Sequence, residues 1–261
     1  SMLIKSVELK EGYVWIRQGF WLFKQNPFTF LMLVFLYIFL VQLSMFIPLI
    51  GIIGMMILTP AISVGFMTAC QMVIRKERVT PAIYISALKD YGSKVRGNII
   101  KLGSIYAGMV FVLSLIATQF VDFEKLIPLL TEQKISSATM VKELYMAMIV
   151  GGCLYLPIAM VMWFSPMLVV YQNMSISKAL FGSWMACWMN RGAFLVYASI
   201  WGVVLIATPL FLGALFDALD FNEYASFFIT PISMAAITVL YCSFFATWKG
   251  CFQENSTIEL K

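Results

Sequence analysis

Apolar residues in this chain run in long unbroken blocks. Six stretches, residues 28–46, 52–74, 102–121, 144–171, 193–216 and 225–248, contain no Asp, Glu, Lys or Arg. A hydrocarbon core about 30 Å thick takes roughly 20 residues of helix, and inside it a helix satisfies every backbone polar group within its own segment. The pattern predicts an all-α polytopic membrane protein with six transmembrane helices. The first two are joined by Ile47-Pro48-Leu49-Ile50-Gly51, a tight hairpin closed by Pro and Gly.

Between the blocks the pattern changes period. Leu9, Tyr13, Ile16, Phe20 and Phe23 fall at spacings of three and four, with Lys10, Arg17 and Lys24 beside them. Thr80-Pro81 reads as a cap and first helical residue, followed by Tyr84, Leu88, Tyr91 and Val95. Ser175 or Ser177 caps a third pattern of Ile176, Leu180, Trp184 and Cys187. Each marks one helical face, and aromatic helices edged with cations suit the membrane interface. Each ends in a polar turn: Asn26-Pro27, Arg96-Gly97-Asn98 and Asn190-Arg191-Gly192. The second and third patterns also align, Ala82-Ile83-Tyr84-Ile85-Ser86 with Ala179-Leu180-Phe181-Gly182-Ser183.

The even-numbered spans each carry a hydroxyl residue followed by proline: Thr59-Pro60, Ser165-Pro166 and Thr230-Pro231. Together these features predict one transmembrane domain over residues 1–261 with an internal threefold repeat, 7–75, 80–171 and 175–249. Each repeat is an interfacial amphipathic helix plus a transmembrane hairpin. All three run in the same direction, so their axis lies along the membrane normal. Proline removes an N–H and frees the carbonyl four residues earlier, here on Met56, Met162 and Phe227. Two readings stand: a ring of carbonyls and hydroxyls around a central pathway, or local satisfaction of each kink by its own Thr or Ser. Ala61, Gly65 and Ala69 form a small-residue stripe for close helix packing, as do Ser104/Gly108 and Ala198/Gly202.

Charge supplies orientation. With both ends on one side, that side collects fifteen of the eighteen Lys and Arg, leaving only Lys125, Lys134 and Lys142 opposite. The positive-inside rule places both termini in the cytoplasm, with Lys10, Arg17, Lys24, Lys94, Arg96 and Arg191 against lipid headgroups. The net charge of +5 is therefore a membrane signal, and no nucleic-acid partner is expected. The outer insertion, residues 122–143, reads as a partly ordered loop, with a short surface helix on Leu126, Ile127, Leu129 and Leu130 as the alternative. Ser1 before Met2 reads as a tag scar, and no cleavable signal peptide is recognised. The acceptor pattern Asn255-Ser256-Thr257 has no role on a cytoplasmic tail.

Composition agrees: 61% of residues are hydrophobic and 12% charged, with a mean hydropathy of +0.89, against about 25% charged in soluble domains. There is no histidine, which removes the commonest catalytic base and metal ligand. The five cysteines show no C-x-x-C spacing and read as reduced apolar residues. No spans carry the buried charge that coupled carriers use, and no base is available for a nucleophile. The expectation is no enzyme, no cofactor and no metal.

The run Gly12-Tyr13-Val14-Trp15-Ile16-Arg17-Gln18-Gly19-Phe20-Trp21-Leu22-Phe23-Lys24-Gln25-Asn26-Pro27 resembles the opening of an uncharacterised proteobacterial inner-membrane family. Ser165-Pro166-Met167-Leu168-Val169, with Ala179-Leu180, Ser183 and Asn190, is similar too, and also resembles membrane domains attached to some glycerophosphodiester phosphodiesterases. The resemblance implies bacterial inner-membrane residence and supplies no activity. Two functions remain open. One is a homo-oligomeric channel or facilitator passing ions or small solutes along Thr59, Pro60, Ser165, Pro166, Thr230 and Pro231. The other is a non-transporting scaffold that binds partners and membrane lipids.

Overall fold

The computed structural model describes residues 3–132 and 136–253. Ser1, Met2, Lys134, Lys261 and the Asn255-Ser256-Thr257 pattern lie outside them.

Helix α1 (Glu11–Gln25) stops at Asn26, whose side chain accepts from the Thr29 N–H at 3.3 Å, and Pro27 opens α2 (Pro27–Ser44). An Asn cap followed by proline at the first helical position both ends one helix and starts the next. The predicted hairpin then leads into α3 (Ile50–Ile74), with Gly51 so close to the Ser44 carbonyl that a side chain has no room. A 3-10 turn (Pro81–Ile85) and α4 (Ser86–Lys89) precede α5 (Ser93–Thr118). Next come α6 (Phe123–Thr131), α7 (Ser137–Met162), α8 (Ser165–Tyr171), α9 (Ile176–Met189) and α10 (Arg191–Gly202). A π-helical turn (Val203–Ala207) joins α10 to α11 (Thr208–Ala218), and α12 (Asn222–Cys251) follows.

Among the described residues six segments are long and apolar enough to cross a membrane: Pro27–Ser44, Ile50–Ile74, Ser93–Thr118, Ala138–Tyr171, Arg191–Ala218 and Asn222–Cys251. Each overlaps one predicted stretch, so the chain has the expected all-α polytopic architecture. The only strands among the described residues are two short pieces, β1 (Leu3–Ile4) and β2 (Phe252–Gln253), paired antiparallel. That pairing holds both ends of the described chain at one end of the molecule.

Packing is uneven along the spans. Buried residues sit in the half nearest the paired ends: Phe30 to Val34 in α2, Pro60 to Val73 in α3, Val95 to Gly103 in α5, Ser165 to Val170 in α8, Ala193 to Trp201 in α10 and Thr238 to Cys251 in α12. The opposite halves contribute none, and α11 has no buried residue. The spans pack tightly at one end and part at the other, where they bury no side chain although Phe216 of α11 still stacks on Phe228 of α12.

The short elements fill the packed half in cyclic order. α1 lies along α12 and α10, the 3-10 turn and α4 lie against α3 and α5, and α9 lies against α7 and α8. Each packs on the second span of the preceding hairpin, with α1 closing the circle on the last.

Several expectations need correction. The described residues of the 122–143 insertion are mostly helical, in α6 and the start of α7: Asp122 caps α6 through the Lys125 N–H at 3.4 Å, and Ser136 caps α7 through the Thr139 N–H at 3.2 Å. The second interfacial helix is a 3-10 turn and one α-helical turn, and Thr80 makes no side-chain cap. Arg96-Gly97-Asn98 is no turn but lies inside α5, which starts after Gly92 at φ +90°, a conformation glycine adopts without penalty. The hydroxyl–proline pair is not confined to even spans: Thr208-Pro209 follows the π-helical turn in the fifth. Pro209 takes away the donor for Leu205, and the widened turn absorbs the loss.

Candidate functional site: a tyrosine-lined cavity in the bundle

The opening motif explains itself as packing. Gly12 abuts the backbone of Ala193 and Tyr197, Gly19 abuts Ser243, and Trp15 covers Gly250. The face that α1 turns inward is Gly12, Trp15, Gly19 and Leu22, while Leu9, Tyr13 and Phe20 of the predicted apolar face are exposed. The inward face is the one whose glycines let backbones approach.

The second resembling segment is equally structural. The fourth span breaks at Trp163-Phe164, and Pro166 starts α8 rather than kinking a continuous helix. The Phe164 N–H donates to the Ser183 hydroxyl at 2.9 Å, and that hydroxyl donates to the Met160 carbonyl at 2.6 Å. So the break is satisfied from α9, neither by Ser165 nor at Met162. Ser165, fully buried, reaches only the Met162 sulfur at 3.9 Å. Asn190, 1% exposed, ties down the N-terminal segment. Its Oδ1 accepts from the Val7 N–H at 2.8 Å, and its Nδ2 donates to the carbonyls of Lys5 at 2.8 Å and Ala186 at 2.9 Å.

Where the packed and separated halves meet lies a cavity of about 330 Å³. Its walls come from α2, α3, α5, α7, α8 and α12. Tyr37, Tyr106, Tyr155 and Tyr241 present phenols to it, and Thr59 and Ser63 add hydroxyls. Pro60 and Pro166 both line it. A neighbouring chamber of about 170 Å³ shares Tyr37, Thr59, Ser63 and Tyr241 and extends to Tyr84. No Asp, Glu, Lys or Arg lines either space.

The hydroxyls divide into two kinds. Thr59 donates to the Met55 carbonyl at 2.8 Å, and Tyr106 and Tyr155 bond each other at 2.9 Å. Tyr37, Ser63 and Tyr241 have no hydrogen-bond partner among the described residues. Tyr37 and Tyr241 stand edge to face with ring centres 6.2 Å apart. The larger apolar groove along α2, about 580 Å³ between Phe28 and Phe39, has no hydroxyl on its walls.

The structure brings Thr59, Pro60 and Pro166 to one place but leaves Thr230 and Pro231 exposed in the separated half of α12. The three proline sites therefore do not form a ring. Of the small-residue stripe, Ala61, Gly65 and Ala69 are all buried, and Gly65 faces the backbone of Ile83 and Tyr84 in the 3-10 turn. The tight span-to-span contact is at Gly103 of α5 against the Ile57 backbone; Gly108 and Gly202 touch nothing. All six predicted headgroup cations are exposed. Lys24 sits over Phe20 at 5.0 Å, Arg191 over Trp188 at 4.7 Å, and Lys10 pairs with Glu8 at 3.1 Å.

Outside the spans, burial pushes the Tyr84 phenol well above the usual tyrosine range; it donates to the Leu33 carbonyl at 2.6 Å. All five cysteines are free, four buried and Cys153 exposed. The four cavity tyrosines were missed in the sequence, although each lies deep within an apolar stretch where a phenol needs a partner.

No family model and no solved structure matches the chain. It is 36% identical over 254 residues to a probable inner membrane protein of Burkholderia thailandensis, an alignment covering 96% of this chain and 94% of that protein.

Proposed function

The chain belongs to the family of that inner-membrane protein and is itself a multi-pass integral protein of the inner membrane; from this premise we propose that it is a facilitator passing small uncharged solutes. The observation that carries this reading is the cavity between the two halves, walled by hydroxyls and aromatic rings with no charge. An ion there would meet no opposite charge, and burying an unpaired charge is expensive. A neutral solute replaces its water hydrogen bonds with those of Tyr37, Ser63 and Tyr241. The reading is non-enzymatic and needs neither metal nor cofactor.

The segments 7–75, 80–171 and 175–249 are read as three repeats, supported by the cyclic packing of the short elements. Both termini are taken as cytoplasmic, with Lys10, Arg17, Lys24, Lys94, Arg96 and Arg191 contacting headgroups. A homo-oligomer is part of the proposal.

The test is swelling of proteoliposomes holding purified protein, with glycerol outside. Glycerol uptake faster than in protein-free vesicles, slowed by Ala159→Trp in the cavity wall, is the expected result; equal rates refute passage. The scaffold reading has its own support in α9, where Trp184 and Trp188 stack at 6.1 Å and Phe181 is two-thirds exposed. Proteoliposomes without flux, together with a stoichiometric protein partner on native purification, favour that reading.

A further inference from the structure

We infer that the cavity accepts a neutral amphiphile, a molecule with one small hydroxyl- or carbonyl-bearing head and a single hydrocarbon tail. This rests on the facilitator reading and specifies its substrate class. Three features of the cavity converge on it.

The first is the unequal wall. Tyr37, Ser63 and Tyr241 offer hydroxyls without partners among the described residues. An unmade hydrogen bond in an apolar setting is costly, so a ligand head that both donates and accepts is favoured there. Apart from Thr59 and the Tyr106–Tyr155 pair, whose hydroxyls are already bonded, the rest of the wall is apolar or aromatic, with Met67, Ala159, Met162 and Phe244 among it, which suits methylene groups.

The second is charge. Neither chamber has an Asp, Glu, Lys or Arg on its wall, so phosphate, carboxylate and ammonium heads all lack a counter-charge. This separates the ligand from the anionic phospholipids that the exposed cations attract.

The third is size and connection. A volume of about 330 Å³ is at the lower end of ligand sites, roughly 300–1,000 Å³, and takes a head with the first part of a tail. The cavity lies at the border of the separated half, whose span residues are exposed and apolar. A tail leaving the cavity on that side stays in a hydrocarbon setting. A wholly soluble ligand gains nothing from this continuity, whereas a bilayer-dissolved one does.

The probe is monododecanoylglycerol, neutral and single-tailed, with glycerol as the head alone and dodecyltrimethylammonium as a charged analogue. Native mass spectrometry of the full purified chain in detergent is expected to show one saturable monododecanoylglycerol adduct per chain and no ammonium adduct. Losing two hydrogen bonds in Tyr37→Phe/Tyr241→Phe is expected to weaken the adduct about tenfold, with thermal stability retained. Ala159→Trp removes it. The conservative Phe pair keeps the test valid if the Trp variant does not fold. No adduct, equal retention of the ammonium analogue, or a Phe pair that binds like wild type overturns the inference. Glycerol flux without an adduct overturns the amphiphile but leaves the facilitator. An adduct without flux supports the amphiphile and overturns passage of small solutes.

Discussion

The hydroxyl of Ser183 accepts the backbone N–H of Phe164 at 2.9 Å, linking α9 to the break in the fourth span. The same hydroxyl donates to the Met160 carbonyl at 2.6 Å, which the Cys187 thiol also reaches at 3.6 Å, so one side chain bridges the two sides of the break.

Replacing that side chain tests the arrangement. Interhelical side-chain bonds in membrane proteins often contribute only about 0.6 kcal/mol, because alternative partners exist. At this break Phe164 loses its partner and Met160 keeps only the Cys187 thiol at 3.6 Å, and a buried unsatisfied group costs about 1–3 kcal/mol. Ser183→Ala is expected to fall at the upper end of that range in a denaturant titration of the purified protein. Ser165→Ala is expected to change stability by less than about 0.5 kcal/mol, since Ser165 touches only a sulfur at 3.9 Å. Equal losses would show that Ser183 does not hold the break.

The contact between α3 and α5 gives a second test. A Cβ on Gly103 would collide with the Ile57 backbone, and neither helix has a flexible side chain there to give way. Overpacking costs typically about 1–3 kcal/mol and sometimes more. Gly103→Val is expected to lower the melting temperature sharply or abolish folded yield. Gly108→Val, facing open space, is expected to leave it unchanged.

These contrasts show what was legible in the sequence. The six spans were readable because twenty uncharged apolar residues have one comfortable solvent. The Asn26-Pro27 restart was readable because cap chemistry is local. The partners of Pro60, Pro166 and Pro231 were not, because rotation of a span about its axis is set by neighbours that hydropathy does not name. Pro60 and Pro166 line the cavity, and Pro231 is exposed and does not. The inward face of α1 was not legible for the same reason: Gly12, Trp15, Gly19 and Leu22 are selected by the neighbours they pack on. The helices in 122–143 were legible in principle, through Asp122 and Ser136 as caps.

Thiol chemistry probes the packed end. Cys187 on α9 is buried, and burial first, then neighbouring Cys251, raises its pKa far above the ordinary thiol value. Only the thiolate reacts, so a raised pKa means less reactive form at every pH below it. Maleimide labelling of Cys187 in the folded protein is expected to be at least about tenfold slower than after unfolding, at pH 7 and still at pH 9. Rapid labelling at pH 8 without unfolding would contradict the packing of α9 on α7.

The orientation can be decided by labelling from outside. The antiparallel pair of β1 and β2 already places both described ends together, so one measurement assigns the whole molecule. Fourteen of the sixteen described Lys and Arg lie in segments on that side, with only Lys125 and Lys142 opposite, and a bias of this kind orients inner-membrane proteins because Lys and Arg near span ends resist translocation. Cys153 is the one exposed native thiol, so Cys153→Ser supplies a quiet background. In spheroplasts, an impermeant maleimide is expected to label Glu124→Cys, at the start of α6, directly. Lys89→Cys, at the end of α4, is expected to react only after permeabilisation. The reverse pattern would place the packed half and its basic surface outside, and the cavity would then face the cytoplasmic leaflet through the separated half.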